Sequence, residues 1–439
     1  MPSLVVLSNV AALKFGPTAD LSQVAEELDV DHVMTGTLLR SGSQLRVTSQ
    51  LVEMPGGRVR WSQTLQRPLG DLFELQDAIA QKIVESLPLD AGAVGDRQRE
   101  TPATSRAYEL YLRANQVAVD YHRLEEARQL YEQCVAEDPG FAPAWAQLGR
   151  VLRIHGKYFE SDYRPSYAAA EAAFQRAFAL SPDLALIHHL YVYQEVETGR
   201  ATEALIRIAN RLHLEPHQPE LYAALCQAAR YCGLLDVSVS AHHRAQSLDP
   251  QIRTSVANTY LALCDYPRLL ESTKGIVGSL AGLAMYELGA DVDEAVRAVE
   301  TEFGGVIANS PSALFKAAVI ASITGDRDEV LRACQGLMAI SDTFPDGEAI
   351  YTVARMLAHA GWRDLAMRGV TMTVAAGFFP SATFERDPWL DDLRELPEFQ
   401  QLLARARERY LAADAAFQAA GGYRVLGLRP RSGVGQPIA

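Results

Sequence analysis

The sequence lacks the features of a membrane-spanning or nucleic-acid-binding chain. Its 439 residues contain no apolar run of about eighteen residues, so no transmembrane helix is predicted. Basic residues are outnumbered, with 41 Lys and Arg against 54 Asp and Glu. The resulting net charge of −13 argues against general binding to nucleic-acid phosphates or to an anionic membrane surface. No basic segment precedes the apolar stretch from Met1 to Phe15, so no secretory signal is expected.

Cysteine is scarce, and the few cysteines form no recognisable pattern. The five residues contain no CxxC pair and are Cys134, Cys226, Cys232, Cys264 and Cys334. Core thiols in a reducing compartment, a disulfide and a metal site are all compatible with this count. Most of the cysteines lie on apolar faces of predicted helices, which favours core thiols and a cytoplasmic location.

Catalytic and cofactor motifs are missing as well. The chain has no GxGxxG, GxxxxGK[ST], HExxH or GxSxG. The adjacent pairs His188-His189 and His242-His243 point to different sides of a helix, so neither pair can chelate one metal as an i,i+4 pair can. The acidic run after Gly325 is typical of a helix N-terminus and too short for a calcium loop. We therefore predict a non-catalytic chain with no cofactor and no metal.

The first ninety residues have the patterns of a small α/β domain. Alternating or β-rich runs predict strands, and an apolar stripe at helical spacing predicts each helix. The elements in order are a strand at Leu4–Leu7, a helix within Asp20–Asp29, strands at His32–Leu39, Leu45–Val52 and Val59–Leu65, and a helix over Asp71–Leu87. This order gives an antiparallel sheet with helices on one face.

These residues also carry a family resemblance. The segments VAEELDVDHVMTGTLLRSGSQLRVTSQLVE and DLFELQDAIAQKIVESL, with Trp61 between them, resemble the TolB-amino-terminal-like domain of bacterial regulators. The resemblance covers about Leu4 to Leu87. It implies a domain that often lies between a repeat tail and a head, which can be a winged-helix DNA-binding domain, a Ser/Thr kinase or a nucleotide cyclase. The family domain opens with a further strand and helix, so this one is expected to be trimmed or part of a longer chain.

A polar linker, residues 91–104, is predicted to separate residues 1–90 from a periodic helical array. Pro182, Pro216 and Pro250 are 34 residues apart, and so are Gly199 and Gly233. This spacing is the period of the tetratricopeptide repeat (TPR), in which a glycine allows the turn between two antiparallel helices and a proline stops the second helix.

The small-residue pattern sets the register of the repeats. With the proline at position 32, the first four units begin at Tyr108, Ala142, Ala185 and Pro219. Position 20, where the two helices cross closely, is then small in every unit and is Ala127, Ala170, Ala204 or Ser238. The second unit carries nine surplus residues between Gly156 and Ala170. A heptad coiled coil is the alternative, but the prolines exclude its long uninterrupted helices. We predict a mainly α protein with a right-handed TPR-type solenoid.

The repeat pattern decays beyond residues 105–250. Gly289, Gly325 and Gly361 are 36 residues apart, which predicts degenerate TPR-like helical pairs over residues 251–397, although residues 265–278 fit no unit. A capping helix is predicted over 398–420, because the last unit of a solenoid has no neighbour. Trp389 and Leu390 resemble the segment that seals the last helix face in this repeat class. The Gly/Pro/Arg-rich residues 421–439 predict a disordered tail.

The TPR resemblance also implies a concave groove, lined by set positions of the first helix of each unit. Extending the register to units at Pro311 and Gly347 gives eighteen central groove positions, of which six are basic and none acidic. The candidate partner-binding residues are Arg113, Gln116, Gln147, Arg150, Arg153, His189, Tyr193, Gln227, Arg230, Lys316 and Arg355. We hypothesise that they bind an acidic peptide or a C-terminal carboxylate. Alternatively, the arginines pair with acids at the groove edges, such as Glu109, Glu220 and Glu348.

The sequence therefore predicts a protein-interaction and regulatory module that binds a protein or peptide, with no nucleic-acid or membrane partner. Two alternatives remain open. The chain is the C-terminal sensory part of a larger transcription regulator, Ser/Thr kinase or nucleotide cyclase, which upstream coding sequence would reveal. Otherwise it is an enzyme with an unrecognised site, which hydrolase and ATPase assays would reveal.

Overall fold

The computed structural model describes residues 15, 19–42, 44–68, 79, 101–160, 162–273, 278–300, 310–341 and 346–429. Within these ranges, a three-stranded sheet precedes an all-helical array. The predicted strand at Leu4–Leu7 lies outside the described residues, and so does the predicted helix over Asp71–Leu87 apart from Ile79.

The sheet is antiparallel, as the sequence predicted. Helix α1 (Leu21–Leu28) is followed by β1 (His32–Ser41), β2 (Gln44–Glu53) and β3 (Arg58–Pro68), which pair in the order β1-β2-β3. The carboxylate of Asp20 accepts a hydrogen bond from the amide of Ser22 at 2.9 Å and caps α1. Ala25 of α1 packs on Val52 and Met54, so α1 covers one face of the sheet.

The helical array consists of consecutive antiparallel pairs. These pairs are α2 (Ser105–Val117) and α3 (Leu124–Glu137), α4 (Ala142–Phe159) and α5 (Arg164–Leu180), α6 (Ala185–Glu197) and α7 (Ala201–Leu214), α8 (Pro219–Tyr231) and α9 (Leu235–Leu248), α10 (Val256–Ala262) and α11 (Tyr266–Ser272), α12 (Ser279–Glu287) and α13 (Val292–Glu300), α14 (Pro311–Thr324) and α15 (Arg327–Ser341), and α16 (Gly347–His359) and α17 (Arg363–Ala375). A single 3-10 turn at Tyr121–Arg123 precedes α3.

The observed helices follow the predicted repeat register. Five of the six predicted unit starts are the first residue of a helix, and the first unit begins at Ser105, three residues before Tyr108. The four position-20 residues are fully buried where the paired helices cross. The predicted turn glycines adopt positive φ angles between 77° and 83°, a conformation that glycine adopts without strain. The TPR-type solenoid is confirmed.

The degenerate region and the tail differ in part from the prediction. The segment 265–278 fitted no predicted unit. In the structure α11 lies within this segment and pairs with α10. The surplus residues of the second unit lengthen α4 and α5. At the C-terminus the chain forms α18 (Ser381–Arg386), a 3-10 turn (Pro388–Leu390), α19 (Asp391–Arg394), α20 (Pro397–Ala419) and α21 (Gly422–Val425). The prediction of a disordered tail from residue 421 was wrong for the first residues of this segment, because Tyr423 is buried and packs its ring on Phe417.

The array closes on itself. The first helices of successive pairs contact one another from α4 to α14, and α14 returns to contact α4. The hydroxyl of Ser312 on α14 donates to the carbonyl of Tyr158 on α4 at 3.2 Å. The C-terminal segment folds back as well, because the amide of Phe379 donates to the carbonyl of Tyr231 at 3.1 Å and α20 packs on α7. The first helices therefore form a ring around a central space.

Candidate functional site

Three of the six basic groove residues are buried in ion pairs. Arg153 bonds Glu197 at 2.8 Å, Arg230 bonds Glu348 at 2.6 Å, and Arg355 bonds Asp387 at 2.8 Å. Pairing with Glu348 is the alternative that the sequence left open. A buried arginine that already holds a carboxylate cannot take one from a partner without breaking the first pair. Gln227 is also buried, and its side-chain oxygen accepts from Arg230 at 2.6 Å.

The ion pair of Arg153 belongs to a larger network that sequence reasoning missed. Lys157 Nζ lies 2.6 Å from both Glu197 Oε1 and Asp346 Oδ2, and so joins α4 to the N-terminus of α16. The hydroxyls of Tyr167 and Tyr231 donate to these two carboxylates, each at 2.8 Å. Lys157 is the second residue of the segment that begins at Gly156 and holds the surplus residues, so the insertion was the available signal.

Mutual attraction keeps this buried network charged. Burial alone would raise the pKa of Glu197, but the charges of Arg153 and Lys157 and hydrogen bonds lower it to about 2. Burial opposes the charge on Lys157 in the same way, yet Asp346 and Glu197 hold its pKa well above the ordinary value. The network pairs two basic side chains, Arg153 and Lys157, with the carboxylates of Glu197 and Asp346. It therefore holds distant parts of the chain together.

The open part of the groove lies at its N-terminal end. Arg113 and Gln116 are exposed on α2, and Arg150 is half-buried on α4. Neither arginine has an acidic partner among the residues that the structure describes. Leu112 is 48% exposed and Val119 is 71% exposed at neighbouring groove positions. The N-terminal groove surface is defined here as Leu112, Arg113, Gln116, Val119 and Arg150.

The remaining candidates lie deeper in the array. Burial and the nearby charge of Arg150 lower the pKa of His189 to about 4, so this imidazole is neutral at pH 7. The ring of Tyr193 lies 6.1 Å from that of His189 and 5.2 Å from the guanidinium of Arg153. Gln147 is half-buried on α4, and Lys316 Nζ on α14 donates to the carbonyl of Glu300 at 2.9 Å. These residues are thus not part of one continuous basic stripe.

A cavity of about 280 Å³ lies inside the ring of first helices. Apolar side chains dominate its lining, including Leu261, Leu280, Phe315, Tyr351 and Phe378. The polar lining includes the charged residues Lys157, Lys316, Asp346 and Glu348, and the uncharged residues Asn258, Ser279, Ser312 and Thr352. The sequence did not predict this cavity, because its walls come from helices far apart along the chain.

Among the residues that the structure describes, we find neither a metal-binding cluster nor a membrane-spanning helix. They contain no group of three or more His, Cys, Asp or Glu residues that could hold a metal ion. None of their helices is both long enough and apolar enough to cross a membrane. Four of the five cysteines are buried and all five are free thiols, with burial raising the pKa of Cys134 to about 12.

No family model matches the chain. A curated protein of Rhizobium meliloti (strain 1021), named "Putative adenylate cyclase 3", is 30% identical over 151 residues, which are 34% of this chain and 26% of that protein. The chain thus matches about a quarter of the length of this relative.

Several solved structures resemble the chain at low sequence identity. The APC/C hetero-tetramer Cut9–Hcn1 is 12% identical over 80% of this chain and 81% of that chain, with a TM-score of 0.39. Yeast Tom70 is 14% identical over 77% and 73%, with a TM-score of 0.32. The P58(IPK) TPR domain is 13% identical over 78% and 86%, with a TM-score of 0.22.

Proposed function

We propose that the chain is a protein-interaction and regulatory module that binds a partner segment on the N-terminal groove surface. The observation that carries this proposal is the combination of exposed Leu112 and Val119 with Arg113 and Arg150, for which no acidic partner exists in the described ranges. Exposed apolar side chains next to cations without an acidic partner are features of a binding surface, because a partner can bury the apolar side chains and pair its carboxylates with the cations.

The chemistry of this surface selects an acidic segment with apolar side chains. An arginine guanidinium binds a carboxylate in a bidentate manner, and Leu112 and Val119 would bury apolar side chains of the same segment. The pattern is also selective, because the rest of the protein is acidic and would repel acidic chains elsewhere. The middle of the array offers no such surface, since Arg230 is already bonded to Glu348 inside the ring.

The test uses the full chain as bait for a displayed library of short peptides. The proposal expects selected peptides to be acidic and to contain leucine or a similar residue. Each lost charge-assisted contact costs about 1–3 kcal/mol, so the double variant Arg113→Glu/Arg150→Glu should weaken binding at least about tenfold. It should also flatten the salt dependence of the affinity, because fewer charges are screened.

The matched control changes the same net charge elsewhere. Arg176 on α5 and Arg405 on α20 are exposed and form no ion pair with the described residues. Arg176→Glu/Arg405→Glu should leave peptide affinity within about twofold. Equal affinity of the native chain and a folded Arg113→Glu/Arg150→Glu variant would refute the proposed surface.

A second candidate function is that this module is the C-terminal sensory part of a larger signalling protein. Two observations favour it: the TolB-like sequence pattern ahead of the TPR array, and the partial identity with a longer protein named as a cyclase. The intact mass of the protein isolated from its natural source decides the question. A mass of 48.1 kDa, that of the present chain, would contradict this candidate.

A further inference from the structure

We infer that the central cavity is a binding site for a small, uncharged and mostly apolar molecule that carries one hydrogen-bonding group. This site is separate from the N-terminal groove surface. It is assembled only by the closure of the ring, because its walls come from α4, α10, α12, α14 and α16.

The size and lining of the cavity fit a small organic molecule. A volume of about 280 Å³ would hold about nine waters at the density of the liquid, and it lies near the lower end of the range of ligand pockets. Four aromatic rings line it and belong to Tyr158, Phe315, Tyr351 and Phe378. Water next to these rings finds few hydrogen-bond partners, so an apolar molecule replaces it favourably in this part of the cavity.

Three of the four charged lining residues, Lys157, Asp346 and Glu348, are held in ion pairs. The fourth, Lys316, donates from Nζ to the carbonyl of Glu300 at 2.9 Å. Lys157 is held between Glu197 and Asp346, and both carboxylate oxygens of Glu348 accept from Arg230, at 2.6 and 3.0 Å. A charged ligand would lose part of its hydration there, while three of the four charged lining residues already hold a partner of opposite charge. The cavity therefore selects against charge.

Asn258 supplies the polar contact. Asn258 is a lining residue of the cavity, and its side chain makes no hydrogen bond with any residue in the described ranges. An amide offers both a donor and an acceptor, so it can satisfy one hydroxyl or amide group of a ligand. A molecule that touches α4 and α16 together would also stabilise the closed ring, since it binds only the assembled form.

Three simple probes separate these features. Toluene is apolar, phenol adds one hydroxyl group, and benzoate adds a charge. Titration calorimetry on the full chain should show saturable binding of toluene and phenol, with benzoate at least about tenfold weaker. Asn258→Leu should weaken phenol binding about fivefold and leave toluene binding unchanged, because only phenol uses the amide.

A cavity-filling variant tests the location. Ala262 lines the cavity and is buried, so Ala262→Phe should abolish the binding of both probes, whereas Ala169→Phe on the exposed face of α5 should not affect it. If Ala262→Phe does not fold, nuclear Overhauser contacts between the probes and the Phe315 and Tyr351 rings in the native chain decide instead. No saturable binding, or contacts only elsewhere, would overturn the inference. Arg113→Glu/Arg150→Glu should leave phenol binding intact, so this outcome is independent of the partner-binding proposal.

Discussion

Replacing Lys157 by methionine tests whether the buried network holds the ring closed. The change keeps an unbranched side chain of similar length and removes the ammonium group, which bonds Glu197 and Asp346 at 2.6 Å each. The two carboxylates then share the single charge of Arg153, and the buried network carries a net negative charge. The hydroxyl donors Tyr167 and Tyr231 remain in place.

The expected loss follows from the burial of these groups. Removing one partner of a buried ion pair costs about 3–5 kcal/mol. The surviving donors keep the loss near the lower end, about 3 kcal/mol in the free energy of unfolding. Folding also lowers the pKa of Glu197 from 4.5 to about 2, because the charges of Arg153 and Lys157 outweigh the effect of burial. Since this pKa is depressed by folding, the stabilisation is present above pH 4.5 and is lost as the pH falls toward 2.

Urea unfolding followed by circular dichroism measures the change. Arg106→Met is the control, because the exposed pair of Arg106 with Glu109 should contribute less than about 1 kcal/mol. Adding Asp346→Asn to Lys157→Met restores the charge balance, so the double variant should cost less than the sum of its single changes. A loss below about 1 kcal/mol for Lys157→Met would refute the reasoning.

Three further predictions concern other parts of the molecule. Burial, reinforced by Arg207 and Arg150 respectively, lowers the pKa values of His188 and His189 to about 4. Both imidazoles are therefore neutral in the folded protein and gain protons on unfolding. The free energy of unfolding should fall by up to about 3 kcal/mol for each unit that the pH decreases between pH 6.5 and 4. Denaturant unfolding across this range should show a weaker pH dependence of stability for His188→Gln/His189→Gln. Gly377 has a φ of 100°, and a Cβ there would lie 2.8 Å from the Cα of Gly199. Gly377→Ala should thus lower stability in thermal unfolding by about 2–4 kcal/mol. Gly289 also has a positive φ but open space around it, so Gly289→Ala should cost about 1 kcal/mol. Equal costs for the two variants would contradict the close approach of Gly377 to Gly199. Brief trypsin treatment should cut first within residues 91–104, after Arg97 or Arg99. Mass spectrometry of the earliest fragments identifies this cut, and a first cut elsewhere would contradict the linker prediction.

Local sequence signals determined the secondary structure and the repeat register. The spacing of Pro182 and Pro216 and of the turn glycines specifies helical pairs, because each signal acts within a few residues of its own backbone. Asp20 predicted the start of α1, and the alternation over Leu45–Val52 predicted β2 for the same reason. The short pair α10 and α11 escaped prediction because its two seven-residue helices contain too few turns to show a periodic pattern.

Only the tertiary structure decided the closure of the ring and everything that depends on it. Lys157 and Asp346 are 189 positions apart, and no pattern within one repeat indicates that they meet. Whether a solenoid closes depends on the small rotation added by each unit, including degenerate units whose rotation their sequences do not specify. The sequence predicted basic residues along the first helices, but the tertiary structure determined that Arg230 is buried with Glu348, 118 positions away, while Arg113 stays exposed. The central cavity has the same origin, since its walls meet only after the rotations of all units have been added.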